Sequence, residues 1–143
     1  MALLSLQEIG VRFGGPWLLE SATLNIERGE RICLLGRNGE GKSTFLKVAA
    51  GLIPPDVGEV VRARNLAVAL MPQVVPAELP GTVLETVRQG ARADRDAWHR
   101  DTQARKVVSL MELDPEADCA TLSGGMKRRV LLAQALAAEP DVL

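Results

Sequence analysis

A glycine-rich stretch at residues 36–43 has the residue types and spacing that hold a polyphosphate. Its sequence, GRNGEGKS, fits the pattern G-x-x-x-x-G-K-[ST] at every fixed position. Glycines leave backbone N–H groups free to converge on phosphate oxygens, because no Cβ stands in the way. Lys42 adds a compact cation for the β- and γ-phosphates, and the Ser43 hydroxyl can bind the Mg²⁺ that bridges them. The stretch therefore predicts a nucleoside triphosphate site with Mg²⁺ as its metal ion.

The flanking sequence places this loop between a strand and a helix. Residues 31–35 (RICLL) form the short apolar run that is typical of a buried parallel strand, and residues 43–50 predict a helix that ends at Gly51. The start of that helix adds a partial positive charge to the site. The alternative is a glycine-rich turn that fits by chance, which is expected in roughly one random chain in 200 of this length.

Composition bounds the remaining possibilities. The 143 residues are enough for one domain, and with 47% hydrophobic residues the chain can bury a core. Seventeen basic and 18 acidic residues give no overall electrostatic case for nucleic acid or an anionic membrane, although a local patch stays open. Cys33 and Cys119 form neither a disulfide framework nor a metal cluster. The N-terminus does not resemble a signal peptide and no apolar run could span a bilayer, so a cytoplasmic protein is predicted.

Two regions of different texture follow from the periodicity. Strands are predicted at residues 3–11 and 22–26, forming a small antiparallel β element, and further strands at 59–62 and 66–71. From Pro76 the sequence becomes helical and polar. Thr82 and Glu85 form a capping-box pattern whose helix should end near Gly90, and a second helix should stop at residues 114–115.

Two single residues have open interpretations at this stage. Phe13 lies on a glycine-flanked turn, where its ring could stack on a nucleobase or simply anchor the loop on the core. Gln73 ends the predicted strand at 66–71, where it could contact Mg²⁺ or a water, or be an ordinary loop residue.

A second anion-binding stretch is predicted at residues 122–129 (LSGGMKRR), which opens a largely apolar helix. A serine N-cap followed by two glycines leaves N–H groups exposed at a positive helix end. Lys127, Arg128 and Arg129 occupy the first turn, where cations oppose the helix dipole. That conflict favours a site that meets phosphate or a partner over an ordinary capped helix.

Together, the phosphate loop, Gln73 and residues 122–125 resemble the Walker A motif, Q-loop and signature of the ABC ATPase nucleotide-binding domain. The resemblance implies an α/β fold, with a P-loop NTPase (RecA-like) core, a small antiparallel β element and a helical subdomain. Residues 36–43 and a signature that continues as MKRRV resemble the ABC-F branch, soluble tandem-domain ATPases that act at the ribosome. The alternative is the ATP-binding subunit of an ABC membrane transporter. A P-loop kinase is disfavoured by the signature stretch.

The resemblance also implies roles for individual residues. The ATP-binding residues would be Phe13, Gly36, Arg37, Asn38, Gly39, Glu40, Gly41, Lys42, Ser43 and Thr44. The signature residues Leu122, Ser123, Gly124, Gly125 and Met126 would contact ATP held by a second ABC domain, in the same chain or a dimer. Ser43 and Gln73 would contact Mg²⁺.

The resemblance further predicts how the chain is divided. Residues 1–75 would form the β element and P-loop core, residues 76–138 the helical subdomain and signature helix, and residues 139–143 the start of the next strand. Asp141 follows Glu139 and Pro140 rather than an apolar run, so the Walker B aspartate, catalytic glutamate and switch histidine are expected beyond Leu143. The chain is thus predicted to be truncated before the Walker B strand and inactive alone. The extended arm that many ABC-F proteins carry in the helical region is predicted to be missing or reduced here.

Overall fold

The computed structural model describes residues 2–143, which divide into two compact units. The first unit comprises residues 2–68 with Val142, and the second comprises residues 69–141 with Leu143. Strands and one helix build the first unit, whereas the second is helical. The phosphate loop lies in the first unit and the signature stretch in the second.

A three-stranded antiparallel sheet forms the body of the first unit. Its strands are β1 (Leu4–Arg12), β2 (Trp17–Ile26) and β3 (Val57–Arg62), in the order β2-β1-β3. The central strand buries Leu4 and Leu6, and a register shift before Ile9 re-aims the strand so that Ile9 and Val11 are buried as well. The predicted antiparallel β element is therefore confirmed.

One helix, α1 (Lys42–Ala50), packs on this sheet and starts at the phosphate loop. It buries Phe45, Val48 and Ala49 in the same apolar cluster as the inward side chains of β1. Gly51 ends the helix with φ 80°, as predicted. Arg62 of β3 also donates from Nη2 to the carbonyl oxygen of Ala49 at 3.0 Å, a favourable place for a cation. The C-terminal end of α1 is thus tied to β3.

The predicted buried strand at residues 31–35 does not form, and this interpretation is wrong for the structure. The segment has no strand pairing in the described part of the chain, Cys33 is exposed, and Leu35 is 88% exposed. A lone parallel strand is not stable without hydrogen-bonded neighbours, whatever its apolar content. The same reason explains why residues 66–71 contribute only one parallel bridge, between Val68 and Val142.

Three helices form the second unit: α2 (Val83–Gln89), α3 (Ala97–Leu110) and α4 (Gly124–Ala137). A short 3-10 turn at Cys119–Thr121 precedes α4. The buried residues of its core are aliphatic, with two exceptions, Cys119 and Thr86. The Cys119 Sγ and the Thr86 Oγ1 lie 3.4 Å apart. The helical subdomain predicted from the sequence texture is present.

Polar contacts link the helices of this unit and also stabilise one of its connections. Arg129 of α4 donates to the carbonyl oxygen of Met111 at the end of α3, at 2.7 Å. His99 Nε2 of α3 lies 3.1 Å from a carboxylate oxygen of Glu139, just after α4. In the connection from α2 to α3, hydrogen bonds from Arg92 hold the pKa of Asp94 below its ordinary value.

The N-terminus of α2 gives a direct test of the local structure. Thr82 Oγ1 accepts from the N–H of Glu85 at 3.3 Å, and Glu85 Oε2 accepts from the N–H of Thr82 at 2.9 Å, so the predicted capping box is confirmed. We expect Thr82→Ala to lower the free energy of unfolding by about 1 kcal/mol, because one N–H loses its acceptor. Urea denaturation measures the change. Thr102→Ala, at an exposed position of α3, is the matched control and should leave the midpoint nearly unchanged; equal shifts would contradict the cap's contribution.

Candidate functional site

The phosphate loop is shaped by glycines that an L-residue could not replace without strain. Gly39 and Gly41 both adopt φ 88°. At Gly41 an added Cβ would also lie 2.9 Å from Leu19 Cδ2 of β2. At Gly41 the backbone therefore lies too close to β2 to leave room for a side chain.

The loop runs directly into α1, and the start of that helix carries no side-chain cap. Gly41 is the N-cap residue, and the described residues provide neither a side-chain acceptor there nor an acidic residue in the first turn. The first N–H groups of a helix need acceptors, and the macrodipole favours a negative one. This end of α1 thus has the donors and the partial charge that suit a phosphate group.

Lys42 provides the positive charge of the site. Its Nζ donates to the carbonyl oxygens of Gly36 and Arg37, at 2.7 and 2.6 Å, so the side chain folds back across the loop. Main-chain carbonyls are neutral acceptors, and an anionic oxygen makes a stronger hydrogen bond with an ammonium group. A phosphate oxygen reaching the loop could therefore exchange with these carbonyls as the acceptor of Lys42. The residues present fit a polyphosphate.

The remaining predicted ligand residues are distributed over both units. Ser43 and Thr44 lie in the first turn of α1, and Phe13 lies between β1 and β2 with 68% of its surface exposed. Next to it, the guanidinium of Arg12 stacks on Trp17 at 4.9 Å from the ring centroid, a contact with no sequence signal. Gln73 belongs to the second unit, where it is exposed in a bend.

Within residues 2–143, no three His, Cys, Asp or Glu side chains are grouped closely enough to hold a metal ion. Ser43 and Gln73 remain the predicted Mg²⁺ contacts, and a hydroxyl and an amide oxygen suit that hard cation when phosphate oxygens supply further ligands.

The signature stretch has the predicted helix start, and its glycines are free of internal constraint. Ser123 is the N-cap of α4, and its side chain accepts from the N–H of Met126 at 3.3 Å. A Cβ added at Gly124 or Gly125 would meet nothing within 4 Å among the described residues, and neither glycine has a positive φ. Folding of this unit does not require glycine at either position. The surface at these two glycines is open within the unit.

The basic residues after the signature divide into two groups. Arg129 donates a hydrogen bond to the carbonyl oxygen of Met111. A contact within its own unit therefore explains why this cation is present at a helix start, where it opposes the dipole. Lys127 and Arg128 have no such contact in the described part of the chain. Lys127 and Arg128 therefore remain the residues predicted to meet phosphate or a partner, whereas Arg129 contacts its own unit.

The sequence motif includes Glu40 but predicts no separate role for its carboxylate. In the structure, Glu40 Oε2 accepts from the N–H of Arg37 at 2.6 Å, and the N–H of Glu40 donates to the Arg37 carbonyl at 3.3 Å. The spacing is that of a capping box, a glutamate three residues after the N–H that it reaches. That three-residue spacing is the sequence signal that could have predicted the contact between Glu40 and Arg37.

The family follows from this arrangement together with a comparison with known protein families. The family described as ABC transporter matches residues 19–143, which include the phosphate loop, Gln73 and the signature stretch. The chain belongs to the ABC transporter family. It is an ATP-binding domain of the ABC type, and the predicted ABC ATPase resemblance is confirmed at that level.

Curated relatives are similar over the whole chain. The zinc import ATP-binding protein ZnuC of Chelativorans sp. (strain BNC1) is 38% identical over 143 residues, which are 99% of this chain and 49% of that protein. The ATP-binding protein Uup of Buchnera aphidicola subsp. Acyrthosiphon pisum (strain APS) is 30% identical over 147 residues, 100% of this chain and 25% of that protein. The chain spans about half the length of the zinc-import relatives that it matches.

Solved structures share the fold. A metal-chelate type ABC transporter in an inward-facing conformation superposes with a TM-score of 0.82 at 23% identity, over 96% of this chain and 56% of that one. An ATP-binding cassette in a dimeric post-hydrolysis state, bound to ADP and Pi, gives a TM-score of 0.75 at 26% identity, over 96% and 70%. The P-loop NTPase fold expected from the sequence is confirmed.

Proposed function

We propose that the chain is the nucleotide-binding part of a transporter ATPase, in which residues 36–44 bind the phosphates of Mg-ATP. The observation that carries this proposal is the arrangement at the start of α1, where an uncapped helix end and the Lys42 ammonium converge on one glycine loop. Lys42 would hold the β- and γ-phosphates, and Ser43 and Gln73 would hold Mg²⁺, which offsets phosphate charge in phosphoryl transfer. Phe13 would stack on the adenine, since its ring is exposed.

A transporter role is better supported than a role at the ribosome. The motif residues favour the ABC-F branch, but neither the family nor the zinc-import relatives single out that branch. The transporter alternative agrees with both. None of the helices within residues 2–143 combines the length and apolar character that a membrane crossing needs. From the similarity to transporter ATP-binding proteins, we propose that a membrane-spanning partner forms the transport path, with this domain on the cytoplasmic side.

Pairing with a second ABC domain is part of the proposal. The family includes dimers, as in the post-hydrolysis structure described above. The open surface at Gly124 and Gly125 supports a close approach by another domain, because the glycines are not needed within their own unit. Ser123 and Gly125 would then contact the γ-phosphate of ATP held in the partner's loop, and ATP would favour the paired state over the open one.

Zinc is the transported ion that the similar proteins suggest, and import assays test it. We expect cells that lack the gene to accumulate several-fold less zinc under chelation, and complementation with the intact gene, but not with Lys42→Ala, to restore the uptake. Cellular zinc is measured by elemental analysis, with manganese and nickel as comparison ions. Normal zinc uptake, combined with cosedimentation of the protein with ribosomes, would contradict the transporter role and support the ABC-F branch.

A further inference from the structure

The Glu40 carboxylate is a negative charge inside a loop that is otherwise built for anions. Its Oε2 lies 2.6 Å from the backbone nitrogen of Arg37, an N–H of the phosphate loop itself. A Cβ added at Gly36 would lie 2.7 Å from the same oxygen and 3.7 Å from Lys42 Cδ, so the carboxylate and the lysine stem flank the same glycine. The carboxylate therefore lies inside the curve of the loop rather than pointing away from it.

Lys42 and the Glu40 carboxylate do not form an ion pair in the described structure. Lys42 Nζ donates to the carbonyl oxygens of Gly36 and Arg37 instead of pairing with Glu40. Both side chains line one cleft of about 280 Å³ beside the loop, together with Gly41 and Phe45. An anion entering the loop thus approaches a negative charge that makes no direct ion pair with Lys42.

Resting on the proposed function, we infer that Glu40 sets the affinity of the loop by acting as an internal competitor of the polyphosphate. Its carboxylate satisfies the N–H of Arg37, and a phosphate group must either displace it or bind beside it. If the phosphate displaces the carboxylate, the hydrogen bond to the Arg37 N–H is lost. If both anions stay, they repel each other, so either route weakens phosphate binding. Glu40 is a specificity-determining residue in this sense, since a ligand without phosphates is not affected by its charge.

The test compares nucleotide affinity in variants of the full-length protein by isothermal titration calorimetry. We expect Glu40→Gln and Glu40→Ala to bind ATP about fivefold more tightly than the wild type, because a unit charge at contact distance is removed. Adenosine affinity should not change. The gain in ATP affinity should shrink as the salt concentration rises, because salt screens exposed charges.

The chain offers a matched control at Glu30. Its Oε2 accepts from the N–H of Glu27 at 2.7 Å, which is the same three-residue geometry at a turn outside the loop. Glu30→Gln should leave ATP affinity unchanged, which separates the position of Glu40 from a general change in net charge. Thermal denaturation of each variant verifies that the fold is intact.

Three outcomes would overturn the inference, and they are distinguishable. Unchanged ATP affinity in Glu40→Gln, with wild-type binding that depends on Lys42, removes the competitor role and leaves the proposed function standing. Weaker binding in Glu40→Ala, with wild-type affinity in Glu40→Gln, shows instead that the side chain braces the loop. Failure of the wild type to bind ATP removes the proposed function and the inference together.

Discussion

Replacing Lys42 with alanine should weaken ATP binding by about 100-fold, while leaving adenosine binding nearly unchanged. The ammonium group folds across the loop with only two main-chain carbonyls as acceptors, so it can exchange them for phosphate oxygens. Hydrogen bonds between charged groups are about twice as strong as neutral ones, and the alanine variant loses them at both the β- and γ-phosphates. Adenosine has no group that reaches this position.

Calorimetric titrations with ATP, ADP and adenosine measure the effect. The matched control is Lys47→Ala, which removes the same charge from an exposed position in the last turn of α1. The control should bind all three ligands as the wild type does. Equal losses for ATP and adenosine in Lys42→Ala would mean that the substitution damaged the loop as a whole, and would remove the phosphate role assigned to Lys42.

The sequence predicts the loop well because its conformation is determined locally. Gly39 and Gly41 are required by their own backbone angles, and α1 begins and ends within one residue of the predicted positions. The same holds for the caps of α2 and α4, where Thr82 and Ser123 contact N–H groups only three residues ahead. Short-range hydrogen bonds of this kind need no knowledge of the rest of the fold.

Strands in a parallel sheet are harder to predict, because their stability depends on distant partners. Residues 31–35 have the composition of a buried strand, yet Ile32 and Leu35 are exposed because no segment of the described chain pairs with them. In contrast, β1 is paired on both sides, by β2 and β3, and becomes the most buried strand of its unit. Apolar composition alone does not distinguish these two cases.

Contacts between side chains and main-chain groups account for the remaining differences. The bond from Arg129 to the Met111 carbonyl depends on how α3 packs against α4, and the cation stack of Arg12 on Trp17 depends on the register of β1 and β2. Neither arrangement has a spacing rule in the sequence. The loop glycines and the helix caps are therefore predictable from the sequence, whereas the side-chain contacts around them are not.

Replacing Ser123 with arginine should distinguish the role of the signature from that of the phosphate loop. If the signature completes the site of a partner domain, Ser123→Arg should keep ATP affinity at its own loop within about twofold and reduce turnover by about 100-fold, as when one donor to a transition-state charge is lost. The arginine adds bulk at the open surface of Gly124 and Gly125. It also removes the cap on Met126, so Ser123→Ala is needed to measure that loss by itself.

A second control places the same bulky charge elsewhere in the unit. Ser109 is exposed near the end of α3, and Ser109→Arg should affect neither ATP affinity nor ATP-dependent dimerisation. Light scattering with and without ATP measures dimerisation, and a phosphate-release assay measures turnover in the full-length protein. A loss of dimerisation in Ser109→Arg would mean that added charge, rather than the position of Ser123, causes the effect.

Mixing two inactive variants then determines whether the signature acts on its own loop or on the partner's. A dimer of Ser123→Arg with Lys42→Ala contains one composite site in which the loop of the first and the signature of the second are both intact. Pairing between domains therefore predicts that the mixture regains ATP-dependent dimerisation and measurable turnover, although each variant alone has little of either. A signature that served its own loop would leave every site in the mixture with one defect, so no activity would return. Lost ATP affinity in Ser123→Arg without rescue by mixing would thus refute the paired arrangement, because each domain would then contain a complete site.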